Sequence, residues 1–452
     1  MITVCKELIM KVSVCLILFI FFLLPVSPEP TVLTENLFPH YEMDLEIEPD
    51  TGQIKGTVVI SFAWSDKWSS TENEIYLAAL LNLYEEKNPY IFSFIEKSGP
   101  KGFSPALIRI QDIKVNHHHI DEEYLILEEP VFQNYNTEHI LYKIRLPFTP
   151  EEGETLQVSF NYEAQLPYKK GMDDFYFKER MFCRFFWFPY LLSEENIDNK
   201  DIQLRYFTYQ AKVKVSPAWE LAAVGTGFNK DFGNTYTLES SHPVLSLPLV
   251  LLKECHMFER PVQNTDQVIR VYYFGDIEGT VRQIESFSQD ALAHYAEVFF
   301  PLDYKYISVV QGNPGTWGMA SDSVIIIGDG FFSGVDRGTP NIFAPFLNYL
   351  ISHEMGHFYF GIGSQVNYLE ENYLSEGFTE YFSIQYQESL YGYWDNLMSE
   401  AGDVGGFIVR WAMERQLKSL NHRGTKQYAV YRIFSYRWNF PLSHEHDEII
   451  YN

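Results

Sequence analysis

At 452 residues the chain exceeds one ordinary hydrophobic core, so two domains are expected. Hydrophobic residues at 46% and charged residues at 21% are a globular composition and exclude a largely disordered chain. A formal charge of −26 argues against nucleic acid or anionic lipid as an electrostatic partner, because neutralising phosphate needs a basic face.

The stretch "MKVSVCLILFIFFLLPVSPEP" starts at Met10 with a lysine, runs apolar from Val12 to Leu24 and breaks at Pro25 and Pro28. This is the n-region and h-region of an export signal, and it is short for a membrane span. Residues 1–27 are therefore expected to be a signal peptide or, since no small-x-small box follows, an N-terminal membrane anchor. The remainder is expected to be extracytoplasmic: secreted, periplasmic or membrane-anchored. Cys5 and Cys15 belong to the leader, which leaves Cys183 and Cys255 as a pair that an oxidising compartment would let form a disulfide.

Residues 31–258 read as an antiparallel β domain. In "YEMDLEIEPDTGQIKGTVVISFAW", Met43, Leu45 and Ile47 share one face, Asp50-Thr51-Gly52 turns the chain, and Val58, Ile60, Phe62 and Trp64 alternate on the return. "TLQVSFNYEA" repeats the alternation with Leu156, Val158, Phe160 and Tyr162. His117, His118 and His119 in "NHHHID" belong to a loop or hairpin tip. Neighbours on a strand point to alternate faces, so the three cannot chelate one ion.

Residues 259–452 change texture to α+β with helices late. "VIRVYYF" is a strand, and Val281, Ile284, Phe287, Ala291, Tyr295 and Val298 then recur with the period of an amphipathic helix. "YISVV" and "SVIIIG" read as short strands, and a helix is predicted from Phe346 to Phe360.

That helix carries "HEMGH". His353 and His357 stand four residues apart, so their imidazoles project from one face and can chelate one ion. Glu354 lies about 100° round the helix, where it can reach a water on that ion without taking a ligand position. A catalytic zinc needs a third protein ligand. Glu376 in "NYLSEGFTEY" follows His357 after eighteen intervening residues, on a second predicted helix able to fold back. The apolar flanks Leu347, Leu350, Ile351, Met355, Phe358 and Phe360 argue against a merely solvated helix.

"HEMGH", the eighteen-residue spacer and the glutamate of "YLSEGFTEY" resemble the gluzincin zinc metallopeptidases of the aminopeptidase N family. Tyr359-Phe360-Gly361 and, more loosely, the N-terminal hairpin extend the likeness. The resemblance implies a β domain followed by a thermolysin-like α+β catalytic domain, one Zn2+ per chain on His353, His357 and Glu376, and Glu354 as general base. It also implies a substrate-binding Gly-x-Met-Glu-Asn segment. "TWGMASDS" supplies Gly318 and Met319, but Ala320 stands in place of the Glu that holds a substrate's amino group and Ser321 in place of the Asn; Asp322 falls two positions late. The family's oxyanion tyrosine corresponds to one of those in "KQYAVYRIFSYRWNF": Tyr428, favoured by the apolar Ile433 and Phe434, or Tyr431, with Tyr436 also in range. The chain stops soon afterwards, so the catalytic domain is expected to be curtailed.

The expected function is therefore an exported zinc metallopeptidase acting on a peptide or protein substrate, aminopeptidase-like with open selectivity for the N-terminus. Alternatives are a metalloendopeptidase and a non-catalytic zinc-fold binding protein of the cell surface.

Overall fold

The computed structural model describes residues 38–391 apart from internal stretches, the longest being 86–102, 128–139, 194–203 and 365–371. The leader, the favoured Tyr428 and the alternatives Tyr431 and Tyr436 lie outside the described residues.

The alternation read in the sequence makes the first sheet. Its eight strands run, edge to edge, β14 (Phe228–Asp231), β15 (Thr235–Glu239), β12 (Thr208–Val215), β1 (His40–Glu48), β2 (Gln53–Ala63), β8 (Thr155–Gln165), β4 (Leu107–Val115) and β5 (His118–His119). Met43, Leu45 and Ile47 of β1, Val58, Ile60 and Phe62 of β2, and Leu156, Val158, Phe160 and Tyr162 of β8 are all buried in one core. The expected purely antiparallel arrangement needs one correction, since β1 pairs with β12 in parallel. Neither strand carries its partner nearby in sequence, so no hairpin fixes their direction. Asn116 and His117 both have positive φ and form the tight turn from β4 to β5, which places the histidine run at a hairpin tip as expected.

Two four-stranded sheets continue this half. One runs β13 (Glu220–Ala223), β16 (Leu249–Leu252), β10 (Arg180–Cys183), β9 (Phe175–Phe177); the other β11 (Tyr190–Leu192), β3 (Glu74–Ala78), β7 (Leu141–Arg145), β6 (Leu125–Leu127). The disulfide that an oxidising compartment would permit is not formed: Cys183 and Cys255 are both free thiols. Register explains why. Cys183 lies opposite Leu249 and Arg180 opposite Leu252, so Cys255 continues past the far end of that strand pair. The chain then bends at Lys253 and Glu254, beyond the end of β16, before it reaches Cys255.

The fourth sheet is mixed: β17 (His256–Pro261), β18 (Val268–Tyr273), β19 (Tyr306–Gly312), β21 (Val324–Gly328), β20 (Gly318–Ser321). Its inner strands β19 and β21 are buried on both faces and apolar, whereas the edge strand β17 is polar and exposed. Ile269, Val271, Ile307, Val309, Ile325 and Ile327 pack with the helices. Tyr272, Val310, Val324 and Ile326 pack instead on Phe175, Phe182, Val250 and Leu252 of the β13–β16–β10–β9 sheet. The helices are α1 (Glu278–Val298), α2 (Asp329–Asp336), α3 (Pro340–Gly356) and α4 (Asn372–Tyr391). Among the described residues strands therefore outnumber helices, and none of these helices is long and apolar enough to cross a membrane.

Candidate metal centre

The apolar face of α3, with Leu347, Leu350, Ile351 and Met355, is buried in the helical core. Regular helix ends at Gly356, four residues before the predicted end. The backbone then continues in hydrogen-bonded turns, Phe358 N–H to Met355 O and Phe360 N–H to Gly356 O. His353 thus sits in the last turn and His357 just past it, and the four-residue spacing still aligns them: their ring centroids are 5.0 Å apart and nearly perpendicular.

The third ligand comes from α4. A Cβ built on Gly356 would lie 2.9 Å from Thr379 Cγ2, so the absence of a side chain there lets α4 approach α3 closely. That approach brings Glu376 Oε2 to 3.4 Å from His353 Nε2, and Glu376 Oε1 to 3.7 Å from His357 Nε2. Donors about 2.0–2.2 Å from a tetrahedral zinc lie about 3.4 Å from one another. The three ligand atoms all lie within 4.8 Å of one another, so the donor set fits such an ion.

The other nitrogen of each imidazole is also placed. His353 Nδ1 lies 3.2 Å from Glu380 Oε2, so the ring stands between two carboxylates one turn apart on α4. Tyr349 O–H in turn donates to Glu380. His357 Nδ1 lies 3.0 Å from Ser375 Oγ, 3.3 Å from Thr379 Oγ1 and 3.3 Å from Phe360 O. Such outer contacts fix ring orientation and tautomer.

The electrostatics suit a cation. Burial pushes the His357 imidazolium down to about 4, leaving the neutral form that can ligate. Burial also acts against a charged His353, but Glu376 and Glu380 outweigh it and raise its pKa well above the usual value. Desolvation pushes the Glu376 carboxyl up, yet His357, His353 and Arg184 outweigh it and hold the group at about 2. Glu354 differs: desolvation dominates and lifts its carboxyl to about 7. Its side chain is 4% exposed and packs on β20, where a Cβ at Gly318 would lie only 2.5 Å from Glu354 Oε1.

The structure therefore brings His353, His357, Glu354, Glu376 and Gly318 together. Met319 follows Gly318 on β20, half-buried, and Ala320 is buried. Asp322 does not serve the site. It is buried, and it accepts hydrogen bonds from Ser246 N–H at 2.7 Å and Ser246 Oγ at 2.5 Å. Local sequence reasoning missed Glu380, although its four-residue spacing from Glu376 was a usable signal. It also missed Arg184, far upstream, for which no local pattern exists.

No protein-family model matches the chain, and no curated protein matches its sequence. Solved structures do match its shape. An M1 zinc metallopeptidase from Deinococcus radiodurans aligns at TM-score 0.51 and 16% identity, over 81% of this chain and 73% of that one. A Legionella pneumophila aminopeptidase A in complex with aspartic acid aligns at TM-score 0.54 and 12% identity, over 78% of this chain and 38% of that one. A two-domain M1 zinc metallopeptidase mutant bound to L-arginine gives TM-score 0.52 at 15% identity. At such identities the likeness is one of architecture: the chain has the fold of the M1 zinc metallopeptidases.

Proposed function

We propose that the chain is a zinc metallopeptidase hydrolysing peptide bonds, with His353, His357 and Glu376 as zinc ligands and Glu354 as general base. The observation that carries this is the convergence of three ligand atoms within 4.8 Å beside a buried carboxylate that is not one of them. In this reading residues 31–258 form the β domain and 259–452 a thermolysin-like catalytic domain, and the leader directs the protein out of the cytoplasm or anchors it.

Zinc held there would supply Lewis acidity to the scissile carbonyl and to a water. The chain's own residues do the rest. His357, kept neutral by burial, and the ionised Glu376 offer lone pairs to the ion, while Glu380, Ser375 and Thr379 hold the two rings in place. Glu354 accepts the proton of the attacking water at a carboxylate oxygen and returns it to the leaving amine. In the metal-free chain burial lifts this carboxyl to about 7, the direction that strengthens it as a base. Aminopeptidase-like action is the finer form of the proposal, with the oxyanion held by Tyr428 or Tyr431.

The test measures zinc and turnover together. The purified chain should hold one zinc, and the His353→Ala, His357→Ala double variant none. Glu354→Gln should keep the metal and lose at least about a hundredfold in kcat, because an amide cannot take the proton. Unchanged zinc in the double variant would remove the metal site. Near-normal hydrolysis in Glu354→Gln would remove the mechanism, and zinc without any hydrolysis of free or N-acetylated peptides would favour the non-catalytic binding protein.

A further inference from the structure

A cleft of about 370 Å³ lies outside the metal centre, between the end of β17, the turn after it and α1. Arg260 and Gln263 form one wall, and Glu285, Ser286, Gln289 and Asp290 form the other. Four-residue spacing sets Glu285 with Gln289, and Ser286 with Asp290, in two adjacent rows along the helix. Another side of α1 faces the core. Ile284, Ala291 and Tyr295 are buried there, and Tyr295 O–H donates to Ser352 O of α3 at 2.9 Å. Ser286 lies half a turn round the helix from Tyr295, so the cleft opens away from α3 and its histidines.

The walls carry both signs of charge. Glu285 is 1% exposed and already engaged: its Oε2 lies 3.1 Å from Arg260 Nη1, and Gln289 Nε2 donates to its Oε1. That ion pair occupies one nitrogen of Arg260, whose side chain is 50% exposed. The other guanidinium N–H groups have no protein partner among the described residues, so they are open to a ligand. Asp290 is exposed and, among the described residues, has neither an ion pair nor a hydrogen bond. Desolvation alone raises its carboxyl above the ordinary value, with no cation acting against it. Ser286 and Gln263 are exposed, and their side chains are also unengaged among the described residues. A ligand with only a positive charge would meet Arg260, and one with only a negative charge would meet Asp290. A ligand with both satisfies each wall.

We propose that this cleft binds a small zwitterion, with its carboxylate on the open edge of Arg260 and its ammonium on Asp290. Two sources share that chemistry, a free α-amino acid and a short peptide. Neither zinc nor hydrolysis takes part in this recognition, so the site stands whether or not the metallopeptidase reading does.

The experiment uses the zinc-loaded chain with Glu354→Gln, to suppress turnover, and titrates four ligands by calorimetry. Two are zwitterions, L-alanine and L-alanyl-L-alanine. The others carry one charge each: N-acetyl-L-alanine lacks the ammonium, and L-alanine amide lacks the carboxylate. At least one zwitterion should bind tenfold or more tighter than either singly charged form. Tighter L-alanine assigns the free amino acid, and tighter L-alanyl-L-alanine assigns the peptide. Asp290→Asn should bring the zwitterion within threefold of N-acetyl-L-alanine, and Asp290→Lys should make N-acetyl-L-alanine the tightest of the four. Arg260→Gln should bring the zwitterion within threefold of L-alanine amide.

Should Arg260→Gln fail to fold, because buried Glu285 loses its cation, the two Asp290 variants decide, since that side chain is exposed. Ligand held by the zinc itself would be indifferent to Asp290, so a preference that survives Asp290→Asn overturns the proposal. A singly charged form that matches the zwitterions overturns it too, as does the absence of binding by all four.

Discussion

Glycine at position 318 is a requirement of Glu354 more than of β20. An ideal Cβ there would lie 2.5 Å from Glu354 Oε1 and 2.8 Å from both Cδ and Cγ. The whole end of that side chain would have to move, and it is 4% exposed and enclosed. Gly318→Ala should therefore leave the zinc ligands in place and misplace the base. Displacements of about 1 Å cost up to a hundredfold in rate, so kcat should fall by about ten- to a hundredfold while zinc stays at one per chain. Steady-state kinetics with elemental analysis checks this. An unchanged kcat would mean that Glu354 either moves freely or does not take the proton.

At the scale of elements, the site depends on how closely α4 lies on α3. A methyl at Gly356 would sit 2.9 Å from Thr379 Cγ2, tighter than side chains tolerate. Gly356→Ala should destabilise the chain by about 1–2 kcal/mol through overpacking. Thr379→Ser removes that methyl and keeps the hydroxyl near His357 Nδ1, so in the double variant it should recover most of the loss. Denaturant unfolding of the four chains in the cycle gives the answer, and strictly additive effects would refute the contact. The elements themselves were legible where the cause is local. Alternation in β1, β2 and β8 follows from one buried face, and the period of α1 from its apolar stripe. The grouping of His353, His357 and Glu376 was legible because the four-residue spacing aligns the two histidines and the glutamate lies on the next helix. What stayed hidden depends on distant pairing. The parallel match of β1 with β12 has no hairpin to announce it. The separation of Cys183 from Cys255 depends on the register between β10 and β16. Arg184 reaches the site only because the β13–β16–β10–β9 sheet packs on the sheet that contains β20.

At the scale of the whole molecule, Asp322 is the buried acid that ties the β20–β21 turn to the segment before β16. It accepts from Ser246 N–H and Oγ, and Leu245 N–H and Tyr304 O–H approach at 3.4 Å. Burial nonetheless dominates these bonds and lifts its carboxyl from 3.8 to about 6. The direction of the pH effect follows from linkage. A carboxyl with a raised pKa holds its proton more tightly folded than unfolded, so its contribution is complete below about pH 4 and is lost as pH rises through 6. A shift of about two units corresponds to about 3 kcal/mol in total, from well below pH 4 to well above pH 6. Its titrating neighbours Tyr206 and Tyr304 do not interfere, since burial and Asp322 itself raise both, Tyr206 to about 12. Asp322→Asn removes the titration and puts an amide among the same donors. It should be less stable than the natural chain at pH 5, and that deficit should shrink by about 1.4 kcal/mol, or reverse, by pH 8, because about half of the total is already lost at pH 5. Chemical unfolding of both chains across this range, with chelator present throughout, measures the difference and cancels the metal-site histidines common to both. A deficit that stays constant from pH 5 to pH 8 would show that Asp322 is ionised throughout, held by Ser246 and Leu245 against the cost of burial.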